Sequence, residues 1–169
     1  MSTKHLPDNL SGVHIHFVGI KGSTKLTYIN NPVSFSPIDE GGIRRKDNVG
    51  LAVCRLTTQK RLDVMIDIWE AIKMRIPGWE FVIVGDGPEK ARIQQEVIAR
   101  GIERISFVKF CDPTPYYEKA KIFWMTSDFE GWPMSLIEAM QKGCVPVVLK
   151  SFSSVLDIID NGKNGVLVT

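Results

Sequence analysis

The chain has 169 residues, of which 44% are hydrophobic and 24% charged, so it can bury the core of one ordinary globular domain. Its 21 basic and 19 acidic side chains leave a net charge of +2, which is too small to indicate a nucleic-acid partner. No apolar run reaches the length of a membrane span, and the amino-terminal residues lack the apolar core of a signal peptide.

The cysteines and histidines do not form a metal-binding pattern. Cys54, Cys111 and Cys144 are odd in number, lack a CxxC spacing and stand among apolar residues, which predicts reduced, buried thiols in a cytoplasmic protein. His14 and His16 alternate on a short predicted strand, but without a third ligand nearby they make a poor metal site. The sequence therefore predicts no metal centre.

Residues 1–43 fit no regular alternation of strands and helices. Two strands are predicted there, VHIHFV at 13–18 and KLTYI at 25–29, and the turn-rich segment that follows is interpreted as the remnant of a linker from an upstream domain. The main domain is predicted to be residues 44–169. Because a doubly wound domain normally packs a further helix after its last strand, we expect this one to be truncated at Thr169.

From about Asn48 onward, nearly continuous apolar strand-like runs alternate with helical segments. Strands of this composition are buried on both faces, as in a parallel sheet covered by helices on each side. The sequence therefore predicts an α/β fold, a doubly wound, Rossmann-like parallel sheet of about six strands with helices on both faces. The predicted strands are NVGLAVC (48–54), EFVIV (80–84), ISFVKF (105–110), IFWMT (122–126), VPVVL (145–149) and GVLV (165–168).

Helices are predicted between these strands. The first runs from Leu62 to Ile72, with apolar residues at the i, i+3, i+4 and i+7 spacing of an amphipathic helix. The second begins at Pro88 and ends before Gly101, the usual positions of proline and glycine around a helix. The others are predicted at 113–121, 133–142 and 153–160.

Ligands of open parallel sheets bind at the carboxyl ends of the strands, and the four loops predicted there, after Cys54, Val84, Phe110 and Thr126, all carry unusual residues. In CRLTTQKR, Arg55 and Lys60 could clamp a phosphate group, although a solvated basic loop explains them more simply. The glycines around Asp86 would let backbone approach a ligand closely. Because Lys90 stands where the third glycine of GxGxxG would be, this is not a dinucleotide fingerprint, and a plain turn is an equal alternative.

The loop before the helix predicted at 133–142 is the most informative. Gly131, Trp132 and Pro133 lead to a helix N-terminus, where unpaired amides and the helix dipole attract an anion. Glu130 and Glu138 cannot help to bind phosphate, but carboxylates accept hydrogen bonds from vicinal sugar hydroxyls. The alternatives are a solvated helix face for Glu138 and a charge that complements the dipole for Glu130.

The segment EGWPMSLIEAMQKGCVPVV resembles the donor-binding motif of the retaining glycosyltransferases of the GT-B fold, family 4. In that motif a glutamate is followed by seven residues, a second glutamate, Ala-Met, a glycine and Pro-Val-Val. CRLTTQKR, IVGDGPEKARIQ, NGKNGVLV and the linker-like YINNPVSFSPI are similar to further segments of the family, in family order. The resemblance covers residues from about Lys25 to Thr169.

The resemblance implies that this chain is the C-terminal, donor-binding domain of such an enzyme. Arg55 and Lys60 would bind the donor diphosphate and Glu130 would contact the transferred sugar, so these three are the predicted catalytic residues. Glu138 would bind the ribose. The other predicted donor-binding residues are Gly131, Trp132, Pro133, Met134, Ser135 and Leu136, whose amides would face the diphosphate and sugar, and Gly85, Asp86, Lys109 and Phe110, which would line the nucleoside pocket.

The chain departs from the family pattern at three positions and in its extent. Cys54 and Arg61 replace the glycines before Arg55 and after Lys60, so backbone there is less permissive. Pro133 replaces the second glycine of Gly-Phe-Gly, which removes one N–H donor from the phosphate cradle. The family's N-terminal acceptor domain and the closing helices of this domain are missing from the sequence.

The resemblance further implies transfer of a sugar, with retention, from a UDP- or GDP-linked donor to an acceptor hydroxyl in polysaccharide or glycolipid synthesis. The acceptor, a saccharide or a lipid-linked saccharide, would bind through the N-terminal domain, so the fragment alone is expected to be inactive. No cofactor, metal or nucleic acid is expected. The implied location is cytoplasmic, with the full-length enzyme at the inner face of the membrane and peripherally associated with it.

Two alternatives remain, one from the same class and one from another. A GT-B epimerase or phosphorylase would share the architecture, but a phosphorylase would need a pyridoxal phosphate lysine, which no segment marks. A non-enzymatic doubly wound ligand- or partner-binding module would need no donor site. A receiver-like module would carry an acidic cluster after the first strand, where this sequence has Cys54 and Arg55.

Overall fold

A computed structural model describes residues 36–39, 41–42 and 45–169. The strands predicted at 13–18 and 25–29 lie outside the described residues. From Asp47 to Val168, strands alternate with helices. The strands are β1 (Asp47–Val53), β2 (Glu80–Val84), β3 (Ile105–Val108), β4 (Ala120–Met125), β5 (Val145–Leu149) and β6 (Val166–Val168). The α-helices of this stretch are α1 (Leu62–Ile72), α2 (Lys90–Ala99), α3 (Thr114–Lys119), α4 (Met134–Gln141) and α5 (Val155–Ile158).

The strands form one parallel sheet in the order β3-β2-β1-β4-β5-β6. This is the strand order of doubly wound dinucleotide-binding sheets, and it confirms the predicted fold class. The chain moves outward in one direction from β1 through β2 to β3, and then in the other from β4 to β6. A crevice therefore opens between the carboxyl ends of β1 and β4, where the two halves diverge.

The core divides into two layers, one on each face of the sheet. On β1, Leu51 and Val53 point into the layer that contains α3, α4 and α5, whereas Ala52 points into the layer that contains α1 and α2. In the second layer Trp69 of α1 stacks on Phe81 with ring centroids 5.6 Å apart. The continuous apolar strands are thus buried on both faces because helices cover both, as the composition predicted.

Some element boundaries differ from the prediction. β3 ends at Val108, so Lys109 and Phe110 lie in the following loop, because neighbouring β2 already ends at Val84 and offers no further pairing. The helix predicted from Pro88 begins at Lys90, and the amide of the preceding Glu89 donates to the carbonyl of Leu56, 3.0 Å away. The last helix is confined to α5, and a 3-10 helix at Thr58–Lys60 was not predicted.

Among the described residues before β1, Ile38 and Lys46 bind the domain. The amide of Ile38 donates to the carbonyl of Gln141 at the end of α4, 3.0 Å away. Lys46 is buried, and its Nζ donates to the carbonyls of Tyr117 (2.7 Å) and Ala120 (2.8 Å), where α3 ends and β4 begins. Burial lowers the pKa of this ammonium, while its hydrogen bonds satisfy carbonyls that the helix end leaves unpaired.

Gly85, directly after β2, provides a test of the close packing between the loops. A Cβ at this position would lie 1.9 Å from the carbonyl oxygen of Cys54, at the end of β1, so a side chain requires the backbone to move. Gly85→Ala should therefore lower the free energy of unfolding by about 1–3 kcal/mol or more, measured by urea denaturation. The matched control is Gly78→Ala, whose Cβ would meet only Asn48 Nδ2 at 3.9 Å. Equal stability of the two variants would contradict the close approach.

Candidate functional site

A cavity of about 600 Å³ lies in the crevice at the carboxyl ends of β1 and β4. Nine of the predicted site residues line this cavity, and Val53 and Cys54 complete the lining. Both predicted catalytic cations and Glu130, one of the two predicted glutamates, thus share one hollow. The nine are Arg55, Lys60, Asp86, Phe110, Glu130, Trp132, Pro133, Met134 and Ser135.

Backbone hydrogen bonds hold the loop after β1 in place. The amide of Leu56 donates to the carbonyl of Asp86, 2.9 Å away, and the Leu56 side chain is fully buried. The 3-10 helix that follows returns the chain to the cavity at Lys60, whose carbonyl accepts a hydrogen bond from Thr126 Oγ1 at 2.8 Å. Arg55 lies between these two anchored points and is exposed at the cavity.

Arg61 shows how this loop manages without the glycine that the family pattern has there. Its φ of 49° and ψ of 53° place it in the left-handed region, which glycine adopts easily and arginine does not. Its guanidinium pairs with Asp128 at 3.0 Å and with Asp63 at 3.3 Å. These contacts link the loop after β1 to the loop after β4 and to the first turn of α1, which offsets part of the backbone cost.

The loop after β4 delivers the N-terminus of α4 to the cavity. The amides of Leu136 and Ile137 both donate to the carbonyl of Pro133, at 3.1 and 3.3 Å. Within the described residues, the amides of Met134 and Ser135 have no acceptor, and both residues line the cavity. These two helix amides are therefore available to an anion, whereas the Leu136 amide of the predicted run is used by Pro133 and Pro133 itself has no N–H.

Leu136 does not take the predicted role. Its side chain is fully buried in the core and its amide is used by Pro133, so it supports the helix start instead of facing the cavity. Gly131, Gly85 and Lys109 lie beside the cavity residues in the chain but not in the cavity lining. The sequence could not distinguish these positions because it shows which loops meet, but not which atoms within each loop face inward.

Lys60 and Glu130 form an ion pair within the cavity, between Nζ and Oε1. Their side chains are 17% and 12% exposed, so solvent screens this pair only partly. The sequence had assigned the two residues to different groups of one ligand, and gave no signal that they contact each other. In this structure each neutralises the other.

Glu138 lies on α4 one turn beyond Met134 and outside the cavity lining. Its Oε2 accepts a hydrogen bond from the hydroxyl of Tyr117, 3.0 Å away. Because residues three and four apart share a helix face, Glu138 is next to the lining residues Met134 and Ser135. Tyr117 was not predicted, since in the sequence it is one more aromatic residue in a helix that packs on the core.

Two further polar groups belong to this end of the sheet. Asp86 is exposed at the cavity, where the hydrogen bond from the amide of Gly87 (2.9 Å), helped by Lys90, lowers the pKa of its carboxyl. The indole Nε1 of Trp132 is buried without an acceptor among the described residues. Sequence reasoning identified both positions, but neither of these features.

The cysteines agree only partly with the prediction of buried thiols. Cys144 is buried, Cys54 is half-buried in the cavity wall, and Cys111 is exposed, because it follows the early end of edge strand β3. Burial raises the pKa of Cys54 to about 11, opposed by the nearby charge of Lys60. Burial likewise raises the pKa of Cys144 to about 11.

No group of three or more His, Cys, Asp or Glu side chains is arranged to hold a metal ion in the part of the chain that the structure describes. In the same residues, no helix is long and apolar enough to cross a lipid bilayer.

Comparison with known proteins decides the family. The profile of the family described as "Glycosyl transferases group 1" matches residues 37–169. The chain belongs to this family. The match and the fold identify it as a C-terminal domain of a GT-B glycosyltransferase, as the sequence resemblance implied.

Individual relatives of this glycosyltransferase domain are considerably longer than it is. It is 39% identical over 99 residues to the amylovoran biosynthesis glycosyltransferase AmsD of Erwinia amylovora, over 56% of this chain and 27% of the relative. Among solved structures, a mutant of S. aureus TarM, in complex with fondaparinux, alpha-GlcNAc-glycerol and UDP, matches with a TM-score of 0.72 and 24% identity, covering 82% of this chain and 28% of TarM. The lipopolysaccharide outer core galactosyltransferase WaaB matches with a TM-score of 0.65 and 30% identity, covering 84% of this chain and 41% of WaaB.

The thiols give a test of the cavity wall. At pH 7.5 iodoacetamide should modify Cys111 first, because it is exposed, and spare Cys54 and Cys144, which are shielded and whose raised pKa of about 11 leaves them protonated. Mass spectrometry of the digested protein measures the rates, and labelling in urea gives the control in which all three react. Modification of Cys54 as fast as Cys111 in the folded protein would contradict the structure.

Proposed function

We propose that this glycosyltransferase domain binds the donor of the reaction, a nucleoside diphosphate sugar, in the cavity at the carboxyl ends of β1 and β4. The observation that carries the proposal is the composition of the cavity wall. It combines two cations, two available helix amides and the carboxylates of Glu130 and Asp86. The cations and amides suit a diphosphate, and a carboxylate suits the hydroxyls of an adjoining sugar.

The diphosphate is assigned to Arg55, Lys60 and the start of α4. Arg55 is exposed at the cavity and has no acidic partner among the described residues, so its planar guanidinium can take two phosphate oxygens. The amides of Met134 and Ser135 stand at the positive end of the helix dipole, which favours an anion there. No metal is needed in this arrangement, because these groups supply the positive charge.

The sugar, the ribose and the base of the donor are assigned to the residues that lie next to the proposed diphosphate site. Glu130 is placed to accept hydrogen bonds from hydroxyls of the transferred sugar, and Glu138, one turn along α4, from those of the ribose. Phe110 and Asp86 line the side of the cavity towards β2 and β3, where the base would lie. Stacking on an exposed aromatic ring suits any base, so this assignment names no nucleotide.

The proposed reaction transfers the sugar to an acceptor hydroxyl with retention at the anomeric carbon. As the glycosidic bond breaks, negative charge grows on the departing diphosphate, and Arg55, Lys60 and the α4 amides stabilise it where it develops. Fixed donors of this kind are effective because they need no reorganisation during the reaction. No side chain is assigned as a nucleophile, and the acceptor is held by a part of the enzyme outside this chain.

The relatives suggest the class of substrate. The S. aureus TarM structure contains UDP, and the names of AmsD and WaaB refer to amylovoran biosynthesis and to the lipopolysaccharide outer core. We therefore propose a UDP-sugar, with a GDP-sugar as the alternative, and a saccharide or lipid-linked saccharide as the acceptor. The full-length enzyme is proposed to act in the cytoplasm, at the inner face of the membrane.

Calorimetric titration with UDP, GDP and their sugars tests the donor site. We expect binding of at least one nucleotide, and a loss of about ten- to a hundredfold in affinity for Arg55→Ala, because a charge-assisted hydrogen bond to phosphate is removed. The matched control is Arg92→Ala, since Arg92 pairs with Glu89 and Glu96 beside and within α2. If the folded domain binds none of these nucleotides, the proposal is wrong.

The ion pair between Lys60 and Glu130 predicts that a substitution in the cavity can also increase the affinity for a nucleotide. Because Glu130 neutralises Lys60, a diphosphate must compete with this carboxylate for the ammonium. Glu130→Gln should therefore tighten the binding of UDP by about three- to tenfold, as the cation loses its charged competitor. A UDP-sugar should gain less, because it also loses its own contacts with Glu130. Titration of both ligands measures the difference, and unchanged or weaker UDP binding would refute the competition.

A further inference from the structure

We infer that Tyr117 is a positioning residue of the donor site, whose hydroxyl holds the Glu138 carboxylate in the orientation that receives the ribose hydroxyls. This inference rests on the proposed function, because it assumes that Glu138 contacts the ribose. It adds a residue from a different helix, α3, that lies outside the cavity lining.

The contact joins two helices that pack on the same face of the sheet. Tyr117 of α3 is fully buried, and its ring packs on Phe123 of β4 with centroids 6.1 Å apart. Its hydroxyl donates to Oε2 of Glu138 on α4 at 3.0 Å. The direction of the bond is fixed, because burial and the adjacent Glu138 charge raise the pKa of the tyrosine and keep its proton on the hydroxyl.

The backbone of Tyr117 is anchored as firmly as its ring. Its carbonyl accepts hydrogen bonds from Lys46 Nζ at 2.7 Å and from Cys144 Sγ at 3.2 Å, and both of these donors are buried. A side chain whose backbone, ring and hydroxyl are all engaged has little freedom to move. Its hydroxyl is therefore a fixed hydrogen-bond donor that restricts the orientation of the Glu138 carboxylate.

A fixed donor that orients the Glu138 side chain would favour ligand binding. A glutamate has three side-chain torsions, and ordering it costs conformational entropy that a bound ligand would otherwise have to offset. The hydrogen bond from Tyr117 engages Oε2, while Oε1 has no partner within the described residues. One oxygen thus orients the carboxylate, and the other stays available as an acceptor beside Met134 and Ser135 of the cavity wall.

A purely structural role for Tyr117 makes a different prediction. If the ring only fills the core, the hydroxyl merely needs some acceptor when buried, and the Glu138 carboxylate happens to supply it. Tyr117→Phe separates the two roles, because phenylalanine retains the ring and removes only the oxygen. If Tyr117 only packs, the substitution should affect the binding of ligands with and without ribose hydroxyls equally. If it positions Glu138, the substitution should weaken only the binding of ligands that have these hydroxyls.

The experiment compares UDP with 2′,3′-dideoxy-UDP as ligands of four proteins: the parent chain, Tyr117→Phe, Glu138→Gln and the double variant. We expect Tyr117→Phe to weaken UDP binding by about three- to tenfold, the range of one hydrogen bond, and to leave dideoxy-UDP binding unchanged. The double variant should bind UDP no worse than Glu138→Gln alone, because the tyrosine acts through that carboxylate. Tyr116→Phe is the matched control, since the hydroxyl of this half-buried neighbour interacts with Cys111 and not with Glu138.

The outcomes separate the inference from the function on which it rests. Equal losses for both ligands, no loss for either, or full additivity with Glu138→Gln would overturn the positioning role while the donor site stands. Thermal unfolding of each variant shows whether Tyr117→Phe remains folded at the titration temperature. If it does not, all four proteins are titrated at a lower temperature at which Tyr117→Phe is folded, and the same comparison of UDP with dideoxy-UDP decides. Failure of the parent chain to bind any nucleotide would overturn the donor site itself.

Discussion

The candidate site depends on backbone hydrogen bonds between loops that are far apart in sequence. In the loop after β1, the carbonyl of Gln59 accepts a hydrogen bond from the amide of Asp128, in the loop after β4, at 2.9 Å. The amide of Leu56, in the same loop, donates to the carbonyl of Asp86 in the loop after β2. Strand order brings these loops to one edge of the sheet, but these bonds set the distance between them. Because the bonds use main-chain atoms, they do not depend on which side chains the cavity loops carry.

The electrostatics of the cavity follow from that arrangement. Lys60 approaches Glu130 because one residue ends the 3-10 helix after β1 and the other precedes the helix after β4. Taking a partly buried ion pair apart is costly unless each charge finds a new partner. A ligand with an anionic part and a hydroxylated part offers both partners at once, whereas a bare diphosphate offers only one. A preference for intact donor over released nucleotide is thus consistent with the architecture of the site.

The fold could be predicted well from the sequence, because nearly continuous apolar strands leave few alternatives to a parallel sheet covered on both faces. The meeting of Arg55, Lys60 and Glu130 also followed from sequence, through the rule that strand ends converge. What could not be predicted depends on the direction of individual side chains. The bond between Tyr117 and Glu138 joins two helices, and nothing in either helix alone indicates it. The exposure of Cys111 depends on where an edge strand stops pairing, which its apolar neighbours do not reveal.

Arg61 illustrates how a strained position can be maintained. A glycine there would hold the turn through backbone freedom alone, in any solvent, whereas this chain relies on charged contacts with Asp128 and Asp63 at exposed positions. Such contacts weaken as dissolved ions accumulate around them. The turn that carries Lys60 is therefore coupled to ionic strength, and the geometry of the cation beside the cavity responds to the surrounding medium as well as to the fold.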